Sequence, residues 1–455
     1  MEIKHGRRII FVFLFVAIAA LFTCTGGPKT QPKFDLIIRG ARIIDGTGNP
    51  WYRADVGIRD GRIAALGRLT DKEAAGTIDA DDRFVAPGFI DMMGQSTPAL
   101  LQDSESALSK LYQGITTMLS GEGTSAAPQN DRTQPEGLKI GETRYRWRTY
   151  AEYFRIMEDR GVALNVIHNV GAAQLRLLVL GDQDLPLSAE DLDRMKGLLD
   201  EAMRDGAVGF STALIYPPGA FASAEEIRAL AEVAARHNGI YLTHVRNESA
   251  GLLEAIEEAV RVGRETGIPV HIYHLKAAGQ ENWPLMREAL DMISKARADG
   301  VDVTADIYPY IRNGLLLEAF IHPQRYAVGT EEFVQTLGKQ EVRDSVRREL
   351  EDTSDWENWY RHVGKDWGNV LIDRVGGQTE PECVGRSVQE VAEMRGVDVW
   401  KAFFDMIQER GVHVVPKSQN EEQKREALLA PFVMIDTDAS PTNPKTAASA
   451  HPRAF

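Results

Sequence analysis

Residues 240–274, IYLTHVRNESAGLLEAIEEAVRVGRETGIPVHIYH, contain one strand–helix–strand unit that decides the fold. The short apolar runs Ile240–Thr243 and Val270–Tyr273 predict two buried strands. The stretch between them has an apolar side at helical spacing, formed by Leu252, Ile256, Val260 and Val262. Gly267 near its end is a helix stop signal. Strands joined by a crossover helix pair in parallel, so this unit predicts a parallel sheet.

The same alternation begins after Ala86-Pro87-Gly88 and continues through the chain. The candidate buried strands are Gly88–Met92, Thr116–Leu119, Ala163–Ile167, Ala207–Ser211, Ile240–Thr243, Val270–Tyr273, Val301–Ala305 and Phe432–Ile435. Eight parallel strands are what a closed barrel needs, so the predicted fold class is α/β with a (β/α)8 TIM barrel.

Two serines mark the starts of helices between these strands. Ser223, with Glu226 three residues later, predicts a capping box and a helix to about His237. Ser188 with Asp191 is a weaker signal of the same kind and predicts a second helix.

The segments on either side of this alternation differ in pattern. Residues 34–82 contain short apolar runs punctuated by glycines, which predict a small β domain, and Asp60-Gly61 predicts a hairpin within it. We assign residues 83–455 to the barrel. The stretch at about 313–431 is long for one loop and includes helical sequence from Glu331 to Leu350, so we interpret it as an insertion between the seventh and eighth strands.

The N-terminus has the charge order of a secretory signal. Three basic residues precede the apolar run Ile9–Phe22, which is too short to span a bilayer comfortably. We therefore expect residues 1–23 to be a signal peptide, residues 24–33 a tether, and the protein to be exported to the periplasm. Leu21-Phe22-Thr23-Cys24 resembles a bacterial lipoprotein box, although Thr before the Cys is atypical. Lipidation of Cys24 would anchor the protein at the cell envelope; ordinary cleavage and a retained anchor are the alternatives.

Composition narrows the function classes. The chain has 455 residues and a formal net charge of −14 at pH 7, and an acidic surface repels the phosphates of nucleic acid. With 43% apolar and 26% charged residues it has the composition of a soluble globular protein. Cys383 is the only cysteine besides Cys24, so an acylated or cleaved chain has no internal disulfide, and we expect Cys383 to be structural.

Metal-capable side chains follow several of the predicted strands. Glu122 lies beyond strand two, His244 and His274 end strands five and six, Asp306 ends strand seven, and Asp438 lies beyond strand eight. A barrel gathers the carboxyl ends of its strands at one rim, where active sites are built. Imidazole and carboxylate are the ligands of catalytic zinc, so the pattern predicts a metal site and a small-molecule substrate.

Six stretches resemble the N-acyl-D-amino-acid deacylases (D-aminoacylases) of the metal-dependent amidohydrolase superfamily. They are Phe34–Gly40, Val85–Asp91, Thr243–Arg246, Tyr273–Lys276, Asp302–Asp306 and His451–Arg453. The resemblance runs from Phe34 to the last residue. It implies a (β/α)8 barrel beside a small β-sandwich, and metal-dependent hydrolysis of an amide on a D-amino acid.

Two departures from the family pattern bear on the metal. Met93 and Gln95 stand where the family usually has His-x-His, and a thioether and an amide are poor zinc ligands. Glu122, between two glycines, stands where the family has a cysteine, and it can serve as an oxygen ligand instead. We therefore expect one zinc ion per chain, held by Glu122, His244 and His274, with another divalent metal as the alternative. Glu122 as an ordinary loop acid is the structural alternative.

The resemblance also implies a proton-transfer residue. Asp438, in Met434-Ile435-Asp436-Thr437-Asp438, aligns with the catalytic aspartate of the family. We expect it to take a proton from a metal-activated water and to deliver one to the leaving amine. Asp436 is a competing candidate two residues earlier, and repulsion between the two carboxylates would raise the pKa of one of them.

A substrate carboxylate needs a fixed positive partner. Lys276 is the first candidate, because it follows His274 by two residues and shares its side if the strand continues. Arg246 bears the same relation to His244, and Arg453 belongs to the His-Pro-Arg element of the family. Tyr308 is similar to a substrate-contacting tyrosine of the family, with an aromatic that closes the barrel rim as the alternative.

The predicted function is that of an exported metal-dependent amidohydrolase acting on N-acyl-D-amino acids or related small amides. A non-catalytic binding protein and an amidohydrolase acting on cyclic amides are the alternatives. The family has a further barrel helix and returning strands beyond His451-Pro452-Arg453, so we expect this chain to be a fragment, with reduced stability if no longer chain exists.

Overall fold

The computed structural model describes residues 33–69, 74–352, 356–447 and 449. The predicted signal peptide, Cys24 and Arg453 lie outside the described residues. Contacts divide the chain into two compact units, one through Pro87 and one from Gly88 onward. Within the described ranges, no helix has both the length and the apolar character that crossing a bilayer requires.

The first unit is a small β-sheet. Its strands are β1 Phe34–Ile43, β2 Tyr52–Arg59, β3 Arg62–Gly67, β4 Ala74–Asp79 and β5 Phe84–Val85. They are ordered β3-β2-β1-β4, and β5 also pairs with β1. The predicted hairpin joins β2 to β3, and both Asp60 (φ 52°) and Gly61 (φ 69°) adopt the left-handed backbone that a tight hairpin turn requires.

The second unit alternates strands and helices. Its strands are β6 Phe89–Asp91, β7 Ile115–Ser120, β8 Leu138–Ile140, β9 Thr143–Tyr145, β10 Asn165–His168, β11 Val170–Gly171, β12 Gly209–Ala213, β13 Ile240–His244, β14 Val270–Ile272, β15 Val303–Ile307, β16 Leu315–Leu316, β17 Val370–Arg374, β18 His413–Pro416 and β19 Val433–Ile435. Its helices are α1 Pro98–Gln102, α2 Leu108–Leu111, α3 Tyr150–Arg160, α4 Ala172–Val179, α5 Ala189–Asp205, α6 Ala224–Arg236, α7 Leu252–Thr266, α8 Leu285–Ala298, α9 Thr330–Thr336, α10 Gln340–Asp352, α11 Trp359–His362, α12 Val388–Arg395, α13 Val399–Glu409 and α14 Glu421–Leu428.

The predicted α/β barrel fold is confirmed, and each of the eight predicted strands overlaps an observed one. Parallel pairing gives the orders β6-β7-β10 and β11-β12-β13-β14-β15-β19. The backbone N–H of Val208, just before β12, donates to the carbonyl of His168 at the end of β10 and joins the two runs. Among the described residues no backbone ladder joins β19 to β6; side-chain contacts of Asp91 with Thr437 connect these strands instead.

The helix start signals act as predicted at the backbone. The side chains of Ser188 and Ser223 accept hydrogen bonds from the N–H groups of Asp191 and Glu226 and cap α5 and α6. The prediction of a full capping box at Ser223 is wrong, because the Glu226 side chain does not accept the backbone N–H of Ser223. The Glu226 carboxylate instead forms a buried ion pair with Arg176 on α4 at 2.5 Å, because a buried guanidinium requires a charged partner.

Residues between β15 and β19 build a layer of their own. Strands β16, β18 and β17 form an antiparallel sheet that packs with helices around a second apolar core rich in aromatic side chains. The predicted helical sequence from Glu331 to Leu350 forms two helices, α9 and α10, separated at Gly338. This layer also supplies Glu357, whose carboxylate accepts the backbone N–H of Glu248 beyond β13 at 3.2 Å.

Candidate metal centre

Backbone geometry brings polar side chains to the rim of the barrel. Glu122 follows β7 between two glycines with positive φ, and a Cβ at Gly121 would lie only 2.6 Å from Asn169 Oδ1. His274 follows β14 with φ 36°, and Asp438 follows β19 with φ 43°. Non-glycine residues seldom adopt this backbone conformation, and such strain concentrates at functional sites.

Glu122, His244 and His274 converge on one point. The Glu122 Oε1 atom lies 2.8 Å from His244 Nδ1 and 3.3 Å from His274 Nε2. The two rings are nearly perpendicular, with centroids 4.4 Å apart. Both histidines are 3% exposed, so their rings are shielded from bulk water.

Neighbouring charges set the ionisation of the cluster. Burial would raise the pKa of Glu122, but hydrogen bonds from the two histidines outweigh it and hold this pKa well below the usual range. Burial lowers the pKa of His244. Burial and the charge of Lys276 lower the pKa of His274, but the carboxylates of Glu248 and Glu122 outweigh them and raise this pKa to about 9. Glu122 is thus ionised beside the two imidazoles.

The donor set fits a zinc ion. One atom from each of Glu122, His244 and His274 lies within 4.8 Å of the others. Two imidazole nitrogens and one carboxylate oxygen form the three-ligand set of a catalytic zinc site, which leaves a position for water or substrate. The structure therefore brings together the three predicted ligands.

Met93 and Gln95 differ in where they lie. Met93 is 1% exposed and packs in an apolar cluster with Leu119, Leu242 and Tyr273. The Gln95 amide nitrogen donates to Glu122 Oε2 at 2.8 Å and to Asp438 Oδ1 at 2.7 Å. The reverse orientation would direct the amide oxygen at two acids, so the amide nitrogen must face them. A neutral donor thus joins the two carboxylates.

Asp438 and Asp436 have different surroundings. Asp438 lines the cavity beside the cluster. Asp436 is 1% exposed, and burial together with the charge of Asp306 raises its pKa well above the usual range. Asp438 is therefore the acid at the cluster, and Asp436 is a buried neutral carboxyl.

A buried lysine holds the loop that carries Asp438. Lys110 Nζ donates to Asp91 Oδ2 at 2.6 Å, to Thr437 Oγ1 at 2.5 Å and to the carbonyl of Ala439 at 2.6 Å. Its partners Thr437 and Ala439 flank Asp438 on both sides. Sequence patterns do not predict this role, because Lys110 lies on a short helix rather than at the carboxyl end of a strand.

Lys276 and Tyr308 lie beside the cluster. Both are buried and line a small cavity of about 40 Å³ together with His274 and Asp438. Lys276 Nζ donates to a Glu248 carboxylate oxygen, and it lies 5.5 Å from the centre of the Tyr308 ring. The pKa of Lys276 is raised, since Glu248 and Tyr308 outweigh burial. Lys276 is therefore a fixed cation.

The structure does not bring Arg246 to this cluster. Its guanidinium forms a paired contact with Glu258 at 2.9 Å and donates to the carbonyls of Ala220 and Ala222. Strand β13 ends at His244, so the alternation of sides that would place Arg246 beside it does not continue.

Glu248 and Glu357 are acids at the site that sequence reasoning missed. Glu248 is 1% exposed and lies opposite Glu122, on the other side of the two histidines. The sequence signal that could have indicated Glu248 is its position four residues after His244. Glu357 comes from the insertion, and burial with the charge of Glu248 raises its pKa well above the usual range.

Asp306, the remaining acid predicted at a strand end, forms its contacts inside the barrel. Asp306 accepts the backbone N–H of His274 and lies 3.0 Å from His271 Nε2. His271 thus pairs with Asp306, and together they fix the backbone that carries His274.

A larger cavity of about 770 Å³ adjoins the cluster. Glu122, Gln95 and Asp438 lie in its wall, and its remaining wall includes the apolar side chains Ile215, Leu315, Leu316, Ile321 and Val414. Charged side chains, among them Asp373, Arg374 and Arg410, also line it. A concave space that combines apolar and polar side chains is typical of a small-molecule site.

This chain is similar in sequence and structure to known deacylases. D-aminoacylase from Alcaligenes xylosoxydans xylosoxydans is 38% identical over 292 residues, which are 64% of this chain and 60% of that protein. The crystal structure of N-acyl-D-glutamate deacylase from Bordetella bronchiseptica, complexed with zinc and a phosphonate mimic of the tetrahedral intermediate, aligns with a TM-score of 0.73 and 32% identity. That alignment covers 89% of this chain and 76% of the other.

A structure of D-aminoacylase concerned with its binuclear metal centre aligns with a TM-score of 0.72 and 30% identity, over 89% of this chain and 76% of that chain. No protein-family model matches this chain. The chain spans about 60% of the length of the curated relatives it matches.

The barrel and its rim of convergent ligands define a member of the metal-dependent amidohydrolase superfamily. Identity of 32% over an alignment that covers 76% of a solved relative places it more narrowly. The chain belongs to the N-acyl-D-amino-acid deacylase (D-aminoacylase) family.

Proposed function

We propose that this protein is a metal-dependent amidohydrolase that hydrolyses the amide bond of N-acyl-D-amino acids. One observation carries the proposal: Glu122, His244 and His274 converge beside Asp438 at the wall of a substrate-sized cavity. The resemblance to deacylases over most of the described chain supports the same chemistry.

We propose one zinc ion per chain, held by Glu122, His244 and His274. A bound zinc supplies a nucleophilic water at neutral pH and polarises the scissile carbonyl. The second family site has lost its histidines, since Met93 lies in an apolar cluster and Gln95 is a hydrogen-bond donor between two acids. An amide that donates both N–H groups to carboxylates has no lone pair directed at a metal.

The side chains around the cluster transfer protons, position the acid and bind the substrate. Asp438 accepts the proton of the attacking water and delivers a proton to the leaving amine. Gln95 holds the Asp438 carboxylate toward the cluster. Lys276 offers a fixed positive charge to the substrate carboxylate, and Tyr308 and Arg453 are further candidates for contacts with it; Arg246 is occupied elsewhere.

The first experiment measures hydrolysis of N-acetyl-D-amino acids by the purified full chain, as release of the free amino acid, with the L-enantiomers as controls. Metal content is measured by elemental mass spectrometry on the same preparation. About one zinc per chain and hydrolysis of the D-enantiomers support the proposal. A folded, metal-loaded protein that binds these amides without cleaving them would favour the non-catalytic alternative.

We also propose that the protein is exported and anchored at the cell envelope through Cys24. The support is the order of basic residues, apolar run and Cys24 at the N-terminus. Cell fractionation with a fatty-acid label tests it. Label in the envelope fraction that disappears in Cys24→Ala supports the anchor, whereas unlabelled protein in the cytoplasm contradicts export.

A further inference from the structure

His244 and His274 each lie between two carboxylates. Toward the proposed metal, His244 directs Nδ1 and His274 directs Nε2 at Glu122 Oε1. On the opposite side, His274 Nδ1 lies 3.0 Å from Glu248 Oε1, and His244 Nε2 lies 3.5 Å from Glu248 Oε2. Each oxygen of Glu248 thus faces the ring nitrogen that the metal does not need. Lys276 Nζ also lies 2.8 Å from His274 Nδ1, so Glu248 Oε1 is the acceptor that the ammonium and this ring nitrogen share.

We propose that Glu248 is a positioning residue that accepts the free ring N–H of both histidine ligands and so fixes their orientation and tautomers. This inference rests on the metal site of the proposed function. A histidine that binds a metal through one nitrogen carries its proton on the other, and a carboxylate acceptor for that proton orients the ring. Here one carboxylate serves two ligands.

The contact between Glu248 and His244 involves two buried polar atoms. His244 Nε2 and Glu248 Oε2 are buried and lie 3.5 Å apart, and neither has a hydrogen-bond partner among the described residues. An unpaired polar atom in such a place costs free energy, so the two atoms are natural partners.

Glu248 is itself held rigidly. Lys276 Nζ donates to its Oε1, and its backbone carbonyl accepts the N–H of Ala278 at 2.6 Å. The backbone N–H of Glu248 donates to Glu357 at 3.2 Å. A buried carboxylate requires a paired cation, so Lys276 stabilises the ionised state that an acceptor of two N–H groups needs.

A second cation bound by His244, Glu248 and Glu357 is the competing interpretation, because one atom from each lies within 4.8 Å of the others. It would require His244 to bind metal through both ring nitrogens and to lose both ring protons. The adjacent Lys276 ammonium also disfavours a further cation.

The test compares Glu248→Gln with Glu357→Gln in the full chain. Metal affinity is measured with zinc against a chromophoric chelator, and ligand geometry from the visible spectrum of the cobalt-substituted protein. An amide at position 248 has one acceptor and one donor, so only one histidine keeps its partner. We expect Glu248→Gln to bind zinc about 10–100-fold more weakly, with an altered cobalt spectrum. Glu357→Gln keeps its carbonyl acceptor and should match the wild type in both.

Glu248→Gln leaves Lys276 buried without its partner, so a second comparison guards against misfolding. Lys276→Met retains Glu248, whereas Lys276→Met with Glu248→Gln removes the whole pair. The double variant should bind zinc about 10–100-fold more weakly than Lys276→Met. Unchanged affinity and spectrum in both Glu248 variants overturn the inference, as does a second wild-type zinc that is lost in Glu357→Gln.

Failure of the proposed function has a different signature. A wild type that binds zinc tightly but cleaves no N-acyl-D-amino acid refutes the reaction, while the affinity ratios still decide the role of Glu248. A folded wild type that binds no zinc overturns both.

Discussion

His168 and His274 are equally buried at the ends of parallel strands and differ in everything that matters chemically. His168 is 2% exposed among the rings of Tyr150, Tyr153 and Phe154, whose centroids lie 5.4–5.5 Å away, and burial lowers its pKa to about 3. His274 is 3% exposed between two carboxylates, and its pKa is raised to about 9. The surroundings, rather than position on a strand, separate the two histidines, because carboxylates face one ring and aromatic side chains face the other.

The same contrast holds for other residue types. Asp436 is a neutral buried acid, whereas Asp438 lines the cavity. Burial lowers the pKa of Lys110 despite its partner Asp91, whereas Glu248 raises that of Lys276. Each pair offers a matched experiment.

Replacing the two histidines should give the largest difference. His274→Ala removes a proposed metal ligand, so we expect the metal to be lost and kcat/KM to fall by more than about 100-fold, beyond the effect of removing an outer partner alone. His168→Ala should keep its metal, because its ring packs among aromatic side chains and neither ring nitrogen has a hydrogen-bond partner among the described residues. Metal content and hydrolysis of an N-acetyl-D-amino acid check both. Loss of metal from His168→Ala at full folding would break the comparison.

The paired aspartates should differ in rate but not in metal content. Asp438→Asn removes the proton acceptor, and we expect kcat/KM to fall about 10²–10⁴-fold with zinc retained. Asp436→Asn replaces a neutral carboxyl with an amide of the same shape and should remain near wild type. Steady-state kinetics at saturating zinc measure both. Equal losses in the two variants would contradict the assignment of Asp438.

The buried lysine away from the metal should matter for folding. Lys110→Met leaves the Asp91 carboxylate buried without its cation, so we expect the free energy of unfolding to fall by about 3–5 kcal/mol. Urea unfolding of the purified chain provides the measurement. Lys110→Met combined with Asp91→Asn removes the unpaired charge and should recover part of the loss; a double variant as unstable as the single would show that charge is not the cause.

The smallest effect, at mildly acidic pH, concerns acid stability. In the unfolded chain His168 titrates near its ordinary pKa of about 6.5, but in the folded chain its pKa is about 3. Between these values the unfolded state binds more protons, so stability falls as pH drops from about 6.5 to about 3. We expect His168→Leu to lessen this slope by up to about 1.4 kcal/mol per pH unit. Thermal melts at several pH values compare the two proteins, and parallel curves would contradict the expectation.

Much of the fold was readable from the sequence. The eight strands are apolar runs of ordinary length, and the caps at Ser188 and Ser223 act as local backbone signals do. The convergence of Glu122, His244 and His274 followed from one rule, that parallel strands end at the same rim.

The rest depended on tertiary contacts. Glu226 pairs with Arg176 rather than with its own helix terminus, and Arg246 turns away because β13 stops at His244. Glu357 reaches the site from the insertion, which no periodicity connects to the barrel rim. No local pattern separates His168 from His274, since their difference lies in neighbours far along the chain.

The bridge made by Gln95 has a consequence for the supply of metal. A second metal ion between Glu122 and Asp438 would come and go with the concentration of free zinc, but the amide is part of the chain. With the one zinc per chain that we propose, the spacing of these two acids would be the same when zinc is scarce and when it is abundant, and a chelator would have one ion rather than two to remove before the site is changed.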